Sequence, residues 1–158
     1  MKSIPTLLHH YQREIQNKKI AQAYHFLLRF LLQAKADFAL HHKDQYTFGN
    51  LAPGYLDYSY FSFFDRELRE KKLRCGIVLN HEKLQIEFWL MGQNAKIQQE
   101  YWKVLKKSKW NAHRTTMPQY AILETVLLDE LNFDKLETML LAIRTKAIQT
   151  VEEIKPLL

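Results

Sequence analysis

Asp57, Ser59, Glu87, Trp89, Gln93 and Asn94 are the residues of this chain whose types and spacing suggest chemistry. The stretch from Leu73 to Asn94 reads as two strands joined by a tight turn, running straight into a helix start. With His81 and Glu82 as the turn, Leu79 would face Leu84, Ile77 would face Ile86 and Cys75 would face Phe88, all apolar. On the other surface Val78 would face Gln85, Gly76 would face Glu87 and Arg74 would face Trp89. A glycine opposite a carboxylate leaves room above the sheet. Asp57 and Ser59, on a preceding strand, would border that room, and a helix beginning near Gln93 and Asn94 would add backbone donors. The expectation is a small polar pocket with an aromatic wall, taking a small ligand or a segment of another protein.

Two further chemistries use overlapping residues. Asp57 on one strand and Glu87 on the next but one could hold a divalent metal for phosphodiester hydrolysis. The lysine usual two places after the acid is missing, since Phe88 and Trp89 follow Glu87, so neither a metal site nor a cofactor is expected. Lys96, Lys103, Lys106 and Lys107, with Trp110, form a basic segment with an aromatic beside it, the elements of a nucleic-acid surface. A net charge of +6 and a pI near 9.3 permit that reading without demanding it. His9-His10 and His41-His42 are adjacent pairs that point about 100° apart on a helix and make poor metal clamps. His81 reads as a turn residue. No HExxH, CxxC, phosphate loop or nucleophile elbow occurs.

The elements that must position these residues follow from periodicity. Apolar spacing predicts a helix after Ser3 carrying Leu7, Leu8, Tyr11 and Ile15, and a second from about Ile20 to Ala39, packed as an antiparallel pair. His41 to Pro53 reads as a loop. Tyr55 to Phe64 reads as an aromatic strand with one row to cover, by the helix pair or by a dimer partner. The hairpin, a helix from Ala95 to Lys107, a strand over Tyr120 to Leu128 and a long last helix opened by Asp134 and Glu137 complete the order. The fold class is α+β: a small, mainly antiparallel sheet of three to four strands, helices on one face, and a single domain over residues 1–158. Hydrophobic residues at 47% supply an ample core, and charged residues at 25% argue against disorder. The lone Cys75 lies on the apolar face, which suits a reducing cytoplasm. The N-terminus lacks a secretory pattern, and Phe26 to Leu32, broken by Arg29, is too short for a bilayer, so no membrane partner is expected.

Several local strings, the Gly54-Tyr55-Leu56-Asp57-Tyr58-Ser59-Tyr60-Phe61 run, Asn80-His81-Glu82, and Glu87-Phe88-Trp89-Leu90 leading to Gly92-Gln93-Asn94, resemble an uncharacterised bacterial domain-of-unknown-function family. Gln98, Tyr101-Trp102, Trp110 and Asn132-Phe133-Asp134 extend the resemblance over most of the chain. It implies small cytosolic proteins with no settled activity, contributes no catalytic residues, and sets the chain apart from the familiar enzyme superfamilies.

Overall fold

A five-stranded antiparallel meander forms the centre of the molecule, in the order β1-β2-β3-β4-β5. The computed structural model describes residues 2–158. Its elements are α1 (Ile4–Gln16), α2 (Lys19–His42), β1 (Thr47–Ala52), β2 (Tyr58–Phe64), α3 (Arg66–Glu70), β3 (Leu73–Asn80), β4 (Gln85–Gly92), α4 (Ala95–Leu105), β5 (Leu123–Leu128) and α5 (Leu136–Ile154). Single 3-10 turns flank α5 at Phe133–Lys135 and Lys155–Leu157.

Period-2 alternation divides the sheet as its sequence implies. Phe61, Phe63, Cys75, Ile77, Leu79, Ile86, Phe88 and Leu90 are buried on one face. The C-terminal half of α2, through Phe30, Leu31, Ala34 and Phe38, and the Met139, Leu140, Ile143, Ala147 and Val151 stripe of α5 pack there. Arg144 of α5 donates to Asp37 of α2 at 2.7 Å, tying the two helices together over the sheet. Helices on one face of an antiparallel sheet make this an α+β fold with a long last helix.

Four expectations need correction. The sheet has five strands, not three to four, because Thr47–Ala52, read as loop, is an edge strand. TFGNLA lacks a clean alternation, since its register breaks between Phe48 and Leu51. A Cβ at Gly49 would come within 2.4 Å of the Ser62 hydroxyl, so the glycine there marks close strand approach rather than a turn.

The hairpin turn is longer than read. His81 to Leu84 form the connection, with Lys83 N donating to Asn80 Oδ1 and Leu84 at φ 48°. Leu79 therefore faces Ile86, Ile77 faces Phe88, Gly76 faces Trp89 and Val78 faces Glu87. A shift of two residues changes every partner and keeps every side chain on its face.

The third correction concerns α1, which does not pack as half of an antiparallel pair. No residue of it is buried, and Leu7, Leu8, Tyr11 and Ile15 stay 50–66% exposed. Finally, the aromatic strand begins at Tyr58, not Tyr55. Gly54 and Leu56 both sit at positive φ, 69° and 65°, and bend the preceding segment into a loop that contains Asp57.

Candidate functional site

The second sheet face carries Tyr58 and Tyr60 from β2, Gly76, Val78 and Asn80 from β3, Gln85, Glu87, Trp89 and Met91 from β4, and Glu124 from β5, as the ladder requires. It is covered by no helix of the core layer. The connection from α4 to β5 crosses it instead, placing Ala121 against Val78, Trp89 and Met91.

Glu87 is 6% exposed and is the one buried carboxylate among the described residues. Its Oε1 accepts from Asn80 Nδ2 at 2.9 Å and Gln85 Nε2 at 2.5 Å, and its Oε2 accepts from Trp89 Nε1 at 2.7 Å. All three donors are neutral. Alternation supplies two of them, because residues 85, 87 and 89 share one face, and the register supplies Asn80 opposite Gln85. The indole of Trp89 is thereby locked. Tyr58 meets it edge-on with ring centroids 4.9 Å apart, and Tyr120 stacks on it at 6.3 Å and 14°. The space above Gly76 is not empty: a Cβ there would lie 2.8 Å from Met91 Cε, so the glycine admits the Met91 side chain.

Trp89 separates two depressions. On one side Tyr55, Asp57, Tyr58, Tyr60, Trp89, Tyr120 and Arg74 border a recess of about 290 Å³. On the other, Glu87 with Lys83, Gln85, Lys109, Trp110, His113, Arg114 and Glu124 lines a cleft of about 460 Å³. Asp57 and Glu87 thus lie on one side of the sheet in different depressions. Asp57 Oδ1 is committed to the backbone N–H groups of Tyr55 at 2.9 Å and Tyr58 at 2.7 Å, which hold its carboxyl below the usual carboxylate range. The pairing a two-carboxylate metal site would need is not formed. Among the described residues no group of three His, Cys, Asp or Glu side chains stands close enough to hold a metal ion.

Ser59 points away from this site. It pairs with Leu79, on the face toward the helices, and is fully buried. Its Oγ donates to Pro53 O at 2.5 Å and lies 2.7 Å from His81 Nε2. A hydroxyl has one proton, so with that proton on Pro53 O the imidazole Nε2–H donates to Ser59. This is the reverse of an activated nucleophile. Tyr24 completes the cluster, donating to Pro53 O at 2.9 Å and packing its ring 5.6 Å from that of His81. Burial lowers the His81 pKa, against the opposing pull of Asp57.

Gln93 and Asn94 lie past the far end of β4 from Gln85. Asn94 Oδ1 caps α4 by accepting from Ile97 N at 3.0 Å, and Gln93 borders another depression with Phe64, Arg69, Leu73 and Arg74, which shares only Arg74 with the recess beside Trp89. The structure therefore gathers Asp57 and Trp89 at the recess, sets Glu87 behind Trp89, and leaves Ser59, Gln93 and Asn94 elsewhere. Lys96, Lys103, Lys106 and Lys107 are exposed along and just after α4. Trp110 is half-buried against the core, with Lys109 Nζ 4.9 Å from its ring centroid, so one face of the ring is already taken.

Sequence reasoning missed Tyr120, Arg114 and Glu124 as site residues. Tyr120 reads in the sequence as the first residue of the last strand, but β5 begins at Leu123 and Tyr120 lies on the irregular connection before it. Glu124 pairs with Arg114 at 3.2 Å, yet burial raises its carboxyl pKa despite that guanidinium, and the nearby Glu87 adds to the rise.

Comparison with known proteins bears on the family. The family described as Domain of unknown function (DUF7000) matches residues 4–158. No curated protein and no solved structure matches the chain.

Proposed function

The chain belongs to the DUF7000 family of domains of unknown function, and from that premise we propose that it is a binding module that holds a planar ligand bearing an anionic group in the recess beside Trp89. The observation that carries this reading is the locked indole. Glu87 spends a buried carboxylate on three neutral donors, one of them the Trp89 N–H, and so fixes an aromatic wall. A pre-set wall lowers the ordering cost of binding. Trp89 is only 4% exposed beneath Tyr58 and Tyr120, so the ligand stacks on the tyrosine rings that the fixed indole supports, at about 1–3 kcal/mol per planar group.

Arg74 supplies the anion anchor. It is exposed at the rim and has no ion pair among the described residues. Its fork suits a carboxylate or phosphate in two-point contact. Tyr120, 51% exposed, and Tyr55, 95% exposed, have room to close over a bound plane. A reducing cytosolic setting suits the lone thiol, since Cys75 is buried on the core face.

The test is heteronuclear NMR titration with planar carboxylates such as indole-3-acetate and benzoate. Shifts should cluster on the Trp89 indole N–H, Tyr58 and Tyr120, and Arg74→Gln should weaken binding about tenfold or more. Binding indifferent to Arg74→Gln, or shifts away from the recess, would remove the reading.

A second reading, chemistry in the neighbouring cleft, is favoured by Glu124 alone. Burial beside Glu87 raises the Glu124 carboxyl pKa against the pull of Arg114, so this group keeps its proton to higher pH than a free carboxyl, as a general acid must. A pH–rate limb lost in Glu124→Gln, for any substrate turned over, would support it.

A further inference from the structure

α1 is the least supported element of the fold. It is 13 residues long and buries none of them. An isolated helix shorter than about 12–15 residues is marginal in water. Yet its apolar side chains form a stripe: Ile4, Leu7, Leu8, Tyr11 and Ile15 are 71%, 52%, 61%, 66% and 50% exposed. A helix this short with an open stripe gains its stability from something laid against it.

We infer that this surface joins two copies of the chain, through α1 packed antiparallel on α1 of the second copy. The spacing itself is self-complementary. Ile4, Leu8, Tyr11 and Ile15 follow one another at intervals of four, three and four, the seam spacing of two-stranded helical packing. That series is symmetric about its midpoint and has isoleucine at both ends. A two-fold axis through the midpoint sets Ile4 beside Ile15 of the second copy and Leu8 beside its Tyr11, as an isologous contact demands.

Charge decides among occupants. The chain carries +6, but α1 itself holds one arginine and one glutamate, Arg13 and Glu14, paired to each other at 3.3 Å. A helix lying on an anionic lipid surface needs a polar face rich in lysine and arginine. α1 lacks one and offers a neutral seam. Antiparallel packing also sets the two helix dipoles in opposition and carries the two basic bodies toward opposite ends of a helix about 20 Å long. That distance exceeds the screening length of about 8–10 Å, so the bodies repel weakly. The stripe exposes on the order of 600 Å² of side chain, below the roughly 800 Å² per partner of a standard interface, which places the dimer at the small end of stable contacts.

Sedimentation of the full chain tests this directly. The wild type should show twice the 18.9 kDa chain mass at high concentration. Leu8→Glu and Tyr11→Glu should each raise the dimer dissociation constant about 30-fold or more. Neither should change the unfolding transition of the monomer, because α1 buries nothing against the body. Mixing Leu8→Cys with Tyr11→Cys protein should give a disulfide-linked heterodimer more readily than either variant alone, with Cys75 shielded by burial. A wild type that stays monomeric at roughly 100 µM overturns the inference. So does a dimer unaffected by both glutamate variants, self-linking of Leu8→Cys in preference to the mixed pair, or a monomer that co-floats with anionic phosphatidylserine vesicles.

Discussion

Replacing Glu87 by glutamine keeps the shape of the side chain and removes one acceptor atom from a buried cluster. In the native arrangement Oε1 serves Asn80 and Gln85 while Oε2 serves Trp89. A glutamine can present its oxygen to one side only. With the oxygen toward Asn80 and Gln85, its NH₂ confronts the Trp89 N–H, donor against donor. Turned over, it confronts two amide NH₂ groups, and Asn80 cannot flip freely because its Oδ1 accepts from Lys83 N at 3.1 Å. At least one buried donor is left unpaired, at about 1–3 kcal/mol, and the bonds that survive lose their charge assistance. Relief from burying a carboxylate without a cation offsets part of this. The expected net destabilisation is about 2–3 kcal/mol by urea unfolding, or roughly 4–12 °C in Tm for a domain of this size. The fold should survive, and the Trp89 indole N–H resonance should move or broaden. A double-mutant cycle with Trp89→Phe should return a coupling of about 1–2 kcal/mol. Destabilisation below about 0.5 kcal/mol with an unmoved indole resonance would refute the claim that Glu87 locks the aromatic wall.

Three other outcomes follow from single features. Leu56 holds φ 65° while 53% exposed, so Leu56→Gly should stabilise the chain by about 1 kcal/mol in thermal melts by relieving a left-handed backbone at little loss of packing. Glu124 has its pKa raised by burial, so its contribution to stability is fully present below the unfolded carboxyl value and is lost as pH rises through the folded one. Glu124→Gln should therefore flatten the acid-to-neutral fall in stability, read as Tm from about pH 4 to about pH 7, and an unchanged profile would count against the assignment. The Cys75 thiol is pushed up by complete burial, so its reaction with a disulfide reagent should track unfolding and accelerate in urea rather than with modest alkalinity.

The legible parts of the fold were those written in a strong local period. Residues 73–80 and 85–92 alternate cleanly, so both strands and both faces could be read before the register was known. The turn length could not be read, because a slip of two residues preserves alternation and leaves Leu84 equally plausible in a strand or, as found, in the loop at φ 48°. β1 was lost because its period breaks at Gly49 and Asn50. Site residues follow the same division. Trp89 and Glu87 are legible as neighbours on one face, whereas Ser59, grouped with Asp57 by alternation, shares its face with the buried Phe61 and Phe63, because Asp57 lies in the loop before the strand and escapes its alternation.

Composition and periodicity alone determined the class of this protein, the two-sided character of its central hairpin, and the sorting of Cys75 inward and Glu87 to the other face, since those depend only on the directions in which successive side chains leave a strand. The partners of each residue were decided by tertiary structure. The Asn80, Gln85 and Trp89 donors around Glu87, the arrival of Tyr120 over the indole, and the failure of α1 to find a place on α2 all depend on how segments distant in sequence meet, which no local spacing encodes.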